Sequence, residues 1–136
     1  MTGTSYAPPT GPMLTGMARL LVVKATAGAE APERCSQAFT VASTAVASGV
    51  DVSFWLTGES TWFALPGRAA GFELPHAAPL PELLSLLIDA GRVTACTQCA
   101  ARRDIGPADV LPGIRIAGAA VFVEEILTDG AQALVY

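Results

Sequence analysis

The chain has 136 residues, 51% of them hydrophobic and only 15% charged, with a formal net charge of −4. That length fits one domain able to bury an apolar core without disulfides or metal. The acidic balance excludes the usual footprint of nucleic-acid binding, since the eight basic residues are scattered apart from Arg102 and Arg103, and the uncharged stretch 35–50 is too polar and too short for a bilayer span of about 20 apolar residues.

Residues 1–17 hold three prolines and three glycines without apolar periodicity and read as a flexible N-terminal extension, leaving 18–136 as one folding unit. No basic cluster leads into an apolar core with a small-residue cleavage site, so a cytoplasmic, reducing location is expected. The apolar run Leu20-Leu21-Val22-Val23-Lys24-Ala25 suits a first strand covered on both faces. Residues 31–48 place Cys35, Ala38, Phe39, Ala42, Ala45 and Val46 at helical spacing, and Gly49 ends that helix. A second strand covers 50–56, with Thr57-Gly58-Glu59-Ser60 at its C-terminal end, where parallel sheets keep ligand loops.

From 61 to 81, aromatic residues mix with prolines and glycines, which gives at most a short helix and reads as a lid. Pro81 starts a Leu-rich helix that stops at Gly91. Strand three runs 93–96, and Thr97 is placed to serve as N-cap of a short helix through Arg103. A fourth strand covers 114–117. The next helix, 118–127, reads with Phe122, Val123, Ile126 and Leu127 inward and Glu124 and Glu125 outward, and a last strand covers 133–136. Strands alternating with helices throughout predict an α/β fold, a three-layer α/β/α sandwich around a mainly parallel five-stranded sheet. The sparse surface charge predicts that part of the apolar surface meets another subunit, hence a homo-oligomer.

The reactive chemistry concentrates in Cys96-Thr97-Gln98-Cys99, followed by Arg102 and Arg103. A thiol at the C-terminal end of a strand faces the first amides of the next helix, whose partial positive charge favours thiolate over thiol. Cys99 falls one turn later on the same face, close enough to bridge to Cys96 or to resolve an adduct on it. Thr97, Arg102 and Arg103 are the candidates for supporting the thiolate. Cys35 lies on an apolar helix stripe and reads as an inert buried thiol. A zinc site from Cys35, Cys96, Cys99 and His76 is the weaker constellation, because structural zinc draws on two close ligand pairs and only one is present.

His76 reads as an exposed loop histidine. Asp51, Glu59, Asp104 and Asp109 lie near strand ends, yet nothing pairs them for acid–base work. Gly28 and Gly58 follow strands without any phosphate-binding glycine pattern. Trp55, Trp62 and Phe63 read as core or interface residues before pocket residues. No cofactor and no metal are expected, and neither nucleic acid nor membrane is an expected partner.

These parts together resemble the DsrE/DsrF-like family, including the TusD-type sulfur-relay subunits and the YchN-like fold. The resemblance covers about residues 19–136. It rests on the strand opening at Leu20, the helix 31–48, the segment Gly49-Val50-Asp51-Val52-Ser53-Phe54-Trp55-Leu56, the Leu-rich helix ending in Ala90-Gly91, and Cys96 through Ile105. In TusD-like members a cysteine precedes a short helix that ends in Arg-Gly or Arg-Arg-Gly. Cys96 matches that cysteine, while Asp104 stands where the family has glycine.

The resemblance implies that Cys96 carries a persulfide between donor and acceptor proteins, and that the chain assembles as a trimer or hexamer. Two other readings stay open on the residues alone. One is a dithiol/disulfide redox couple of Cys96 and Cys99, and the other is a non-catalytic oligomeric module binding a small molecule.

Overall fold

A computed structural model describes residues 19–136, so the expected extension 1–17 lies outside the described residues. Five strands form one sheet: β1 (Leu20–Ala25), β2 (Asp51–Leu56), β3 (Arg92–Cys96), β4 (Ile114–Ala117) and β5 (Gln132–Val135). Their order is β4-β3-β2-β1-β5, and all four pairings are parallel. Four α-helices connect them: α1 (Pro32–Ala47), α2 (Leu80–Ala90), α3 (Thr97–Arg102) and α4 (Ala119–Ile126). Helices cover both faces of the sheet, as the three-layer α/β/α reading predicts.

Alternation along parallel strands sends neighbouring residues to opposite faces, and here the two faces differ in kind. On the first, Val23, Ala25, Val52, Phe54, Leu56, Val93 and Ala95 are fully enclosed beneath α1 and α2. Phe39 of α1 fills this core, its ring 4.7 Å from that of Phe54 and 5.9 Å from that of Phe63, both edge-on. Burial of each valine, leucine and phenylalanine side chain here stabilises the fold by about 1.5–3 kcal/mol, mainly through the hydrophobic effect.

The second face is polar at its centre. Ser53, Trp55, Arg92, Thr94 and Arg115 alternate out of the core layer, and α4 docks over them through a carboxylate. Glu125 is buried and accepts hydrogen bonds from Ser53 Oγ (2.6 Å), Trp55 Nε1 (2.9 Å) and Arg92 Nη1 (3.2 Å), with Arg115 Nη2 as a fourth donor. Arg115 is itself held by Thr94 Oγ1 at 2.6 Å.

The inward and outward sides expected for α4 are therefore partly exchanged. Glu125 points to the sheet, whereas Val123 and Leu127 are exposed. Phe122 keeps its inward position and meets Trp55 edge-on at 5.3 Å. The reason is that β2, β3 and β4 present donors where a buried strand normally presents hydrocarbon, and a carboxylate with four donors is well placed inside.

The segment expected to be a lid is part of the fold. It opens as a 3₁₀ helix, Gly58–Ala64, whose Ser60, Thr61, Phe63 and Ala64 are buried, followed by a second short one, Ala69–Gly71. Phe63 joins the first-face core and meets Phe72 at 5.8 Å. Thr57 and Ser60 tie this turn to β1, each hydroxyl donating to the Ala25 carbonyl at 2.8 Å.

Candidate active site

Cys96 is the last residue of β3 and stands directly before α3. Its register partner on β4 is Ala117, which puts its side chain on the second face. A cavity of about 360 Å³ opens there, lined by Cys96 and Cys99 together with Lys24, Trp55, Gly58, Phe122 and Val123 among others. A larger groove, about 600 Å³, lies elsewhere, between α1, α2 and the loop around His76. It holds no cysteine and no charged cluster.

Both cysteines are free and half-buried. Burial opposes ionisation of Cys96, but the backbone N–H and the thiol of Cys99, the N–H of Gln98 and the charge of Lys24 outweigh it, holding the thiol below its ordinary 9.0. No capping hydrogen bond to the sulfur is formed; the amides lie where an anion on Cys96 would find them. Lys24 reaches the site from β1, with Nζ 4.8 Å from the Phe122 ring centroid. The Cys99 sulfur accepts the N–H of Gly58 at 3.3 Å.

Gly58 is fixed by two constraints. Its φ is +52°, and a Cβ there would lie 2.6 Å from the Thr26 carbonyl oxygen. Only glycine satisfies both, so no side chain can be placed where this backbone touches Cys99.

The other sequence candidates are placed as follows. Thr97 is the first residue of α3 and exposed; Cys96, not Thr97, occupies the N-cap position. Arg103 turns away to Glu59, with Nη2 2.6 Å and Nε 3.2 Å from Oε2, and its Nη1 donates to the Cys99 carbonyl at 3.1 Å. It thereby braces α3 against the turn after β2. Arg103 and Arg68 both stand over the Trp62 ring, at 5.7 and 4.5 Å. Arg102 is exposed. The cation acting on the Cys96 sulfur is Lys24, which sequence reasoning passed over; a lone charge inside an otherwise apolar strand was the signal.

Asp104 closes α3 in the left-handed region, at φ 57°. The Ile105 N–H reaches the Ala100 carbonyl at 2.9 Å and the Asp104 N–H reaches that of Ala101 at 3.1 Å, a Schellman cap. The turn that glycine makes without strain is thus made by an aspartate.

Cys35 is fully enclosed under the first face, where burial, with a smaller push from Glu30, drives its thiol up to about 12. Among the described residues, no three His, Cys, Asp or Glu side chains gather as metal ligands, and the four residues of the weaker zinc constellation are not brought together.

The sequence model of the DsrE/DsrF-like family matches residues 20–135. The chain belongs to the DsrE/DsrF-like family. Among solved structures it is similar to the ychN protein of E. coli, with TM-score 0.72 and 17% identity over 88% of this chain and 100% of that one. It is also similar to MTH1491 of Methanobacterium thermoautotrophicum, a protein of unknown function, with TM-score 0.66 and 11% identity over the same shares. At these identities the likeness is one of fold. No curated protein matches the sequence. No helix of the described residues is long and apolar enough to cross a membrane.

Proposed function

We propose that this DsrE/DsrF-like protein is a sulfur carrier in which Cys96 holds a persulfide. The Cys96 thiolate attacks the outer sulfur of a donor persulfide, R–S–SH. The donor S–S bond breaks, R–S⁻ leaves with the electron pair, and Cys96–S–SH forms without net oxidation. An acceptor thiolate then takes the sulfur by the same step in reverse. The observation that carries this reading is a half-exposed cysteine in a cavity whose amides and ammonium favour its anion, as a nucleophile for sulfur exchange requires.

The test is cyanolysis of protein incubated with a persulfide donor. With cyanide present from the start of loading, sulfur releasable as thiocyanate is expected on the wild type and on Cys99→Ser, and not on Cys96→Ser. Equal loading of Cys96→Ser would sink the proposal.

Donor and acceptor are proposed to be other proteins of a reducing compartment, reaching Cys96 at the open side of the cavity. Self-association into a trimer or hexamer is proposed as well. Val123 of α4, Leu127 just after it and Val135 of β5 are exposed, and Val135 stands beside Lys24 in the sheet register. A second copy is the occupant best suited to an apolar rim on a chain so poor in surface charge. Light scattering that gives the monomer mass at micromolar concentration would remove that part.

A further inference from the structure

We propose that the Cys96/Cys99 pair also releases carried sulfur as sulfide: Cys99 cleaves a persulfide on Cys96 and leaves an intramolecular disulfide. This rests on the carrier reading and adds an activity to it. A carrier that only hands sulfur on needs one cysteine. Here a second one shares the cavity, three residues later, and its sulfur is held in place rather than left free to rotate.

The holding group is the Gly58 N–H, 3.3 Å from the Cys99 sulfur. Gly58 sits at a positive φ with no room for a Cβ against the Thr26 carbonyl, so no side chain can come between its N–H and the Cys99 sulfur. Cys35 cannot take the same part, being fully enclosed beneath the opposite face.

The cavity also suits the leaving group. Its lining includes the Lys24 ammonium and no carboxylate, and Lys24 forms none of the ion pairs among the described residues. A departing HS⁻ therefore meets an unpaired cation beside an apolar wall of Trp55 and Phe122.

The step balances as Cys96–S–S⁻ plus Cys99–SH giving Cys96–S–S–Cys99 plus HS⁻. The Cys99 sulfur bonds to Cys96 Sγ, the bond from Sγ to the outer sulfur breaks, and the Cys99 proton ends on the sulfide. The outer sulfur is reduced and the two thiols are oxidised. Return to the starting dithiol requires an external dithiol reductant, which leaves as its own disulfide.

The full chain would be loaded with inorganic polysulfide, desalted, and followed by intact mass and by trapping of released sulfide, beside Cys99→Ser and Cys99→Ala. The expected result is one sulfide per wild-type chain with loss of two protons from the dithiol mass, while both variants keep the mass of one added sulfur at least about tenfold longer, since the intramolecular nucleophile is gone. A wild-type persulfide as long-lived as that of the variants, or one that moves to Cys99 without sulfide, would overturn the proposal while leaving the carrier intact. Failure of the two Cys99 variants to gain any sulfur would overturn the carrier reading itself.

Discussion

The two faces of the sheet each carry cysteine, and they treat it in opposite ways. Cys35, on α1, is surrounded by hydrocarbon, and its thiol is pushed up to about 12. Cys96, at the end of β3, is also partly desolvated, yet its neighbours are N–H groups, a second thiol and an ammonium, so it ionises more easily than a free thiol. Burial has the same sign at both places. The groups around the sulfur decide the outcome: the first amides of α3, the Cys99 thiol and Lys24 of β1 act on Cys96, and none of them reaches Cys35. Stability is concentrated on one face and polar chemistry on the other.

The largest effect should come from the first face. Phe39→Ala, which removes a ring packed on Phe54 and Phe63, is expected to cost about 3–5 kcal/mol in chemical denaturation. The alkylation rate of Cys96 in the remaining folded protein should hardly change. A parallel change in that rate would show that the faces are not separable.

Glu125→Ala is expected to cost less, about 2–3 kcal/mol, because both guanidinium groups it would leave behind keep contact with water. It should also loosen α4 and change access to Cys96, which the first-face substitution does not. Against Glu125→Gln the effect is pH-dependent. Burial opposes the charge of Glu125, but Ser53, Trp55 and Arg115 outweigh it and hold the carboxyl below its ordinary 4.5. A folded-state value lower than the unfolded one gives stability that is fully present above 4.5 and lost as pH falls through the depressed value. The gap between wild type and Glu125→Gln in denaturation midpoint should thus be flat from neutral pH down to about 5 and close below that. A gap that widens on acidification would contradict the assignment of a charged Glu125.

Lys24→Gln should leave stability nearly unchanged and act on the site alone. The wild-type alkylation rate of Cys96 is expected to rise with pH through a midpoint below 9.0. The variant should move that midpoint upward and slow the reaction at neutral pH by a few-fold, about what one nearby half-buried charge can supply. Superimposable profiles would remove Lys24 from the account. The smallest effect has the opposite sign: Asp104→Gly should stabilise the protein by about 0.5–1 kcal/mol, since glycine occupies the left-handed region without the penalty an aspartate carries. A loss of stability would mean that the aspartate side chain contributes to the cap.

The first face was legible in the sequence. Local apolar periodicity set β1 and β4 at their observed bounds and placed α1 within a residue at each end, because those patterns answer to one layer of neighbours. The second face was not, and the misses share a cause. Glu125 looked like a solvent-facing residue because its partners, Arg92, Arg115, Ser53 and Trp55, are far away in sequence and meet it only once β2, β3 and β4 lie side by side.

Lys24 was overlooked for the same reason, as it reaches Cys96 from β1 across the intervening β2. Arg102 and Arg103 are sequence neighbours of Cys99, but the winding of α3 carries Arg103 to Glu59 and leaves Arg102 in solvent. At Asp104, sequence comparison flagged a departure from glycine, and the backbone shows the same turn kept at a local conformational cost. The cysteine pair itself was visible because its spacing is local.

The most direct measurement is the alkylation rate of each cysteine in the wild-type protein at neutral pH, resolved by peptide mass spectrometry. The account predicts that Cys96 reacts faster than a simple thiol, that Cys99 follows, and that Cys35 stays unmodified until the protein unfolds. A Cys96 that reacts no faster than Cys99 or a simple thiol would contradict it, because the second face would then hold no activated sulfur.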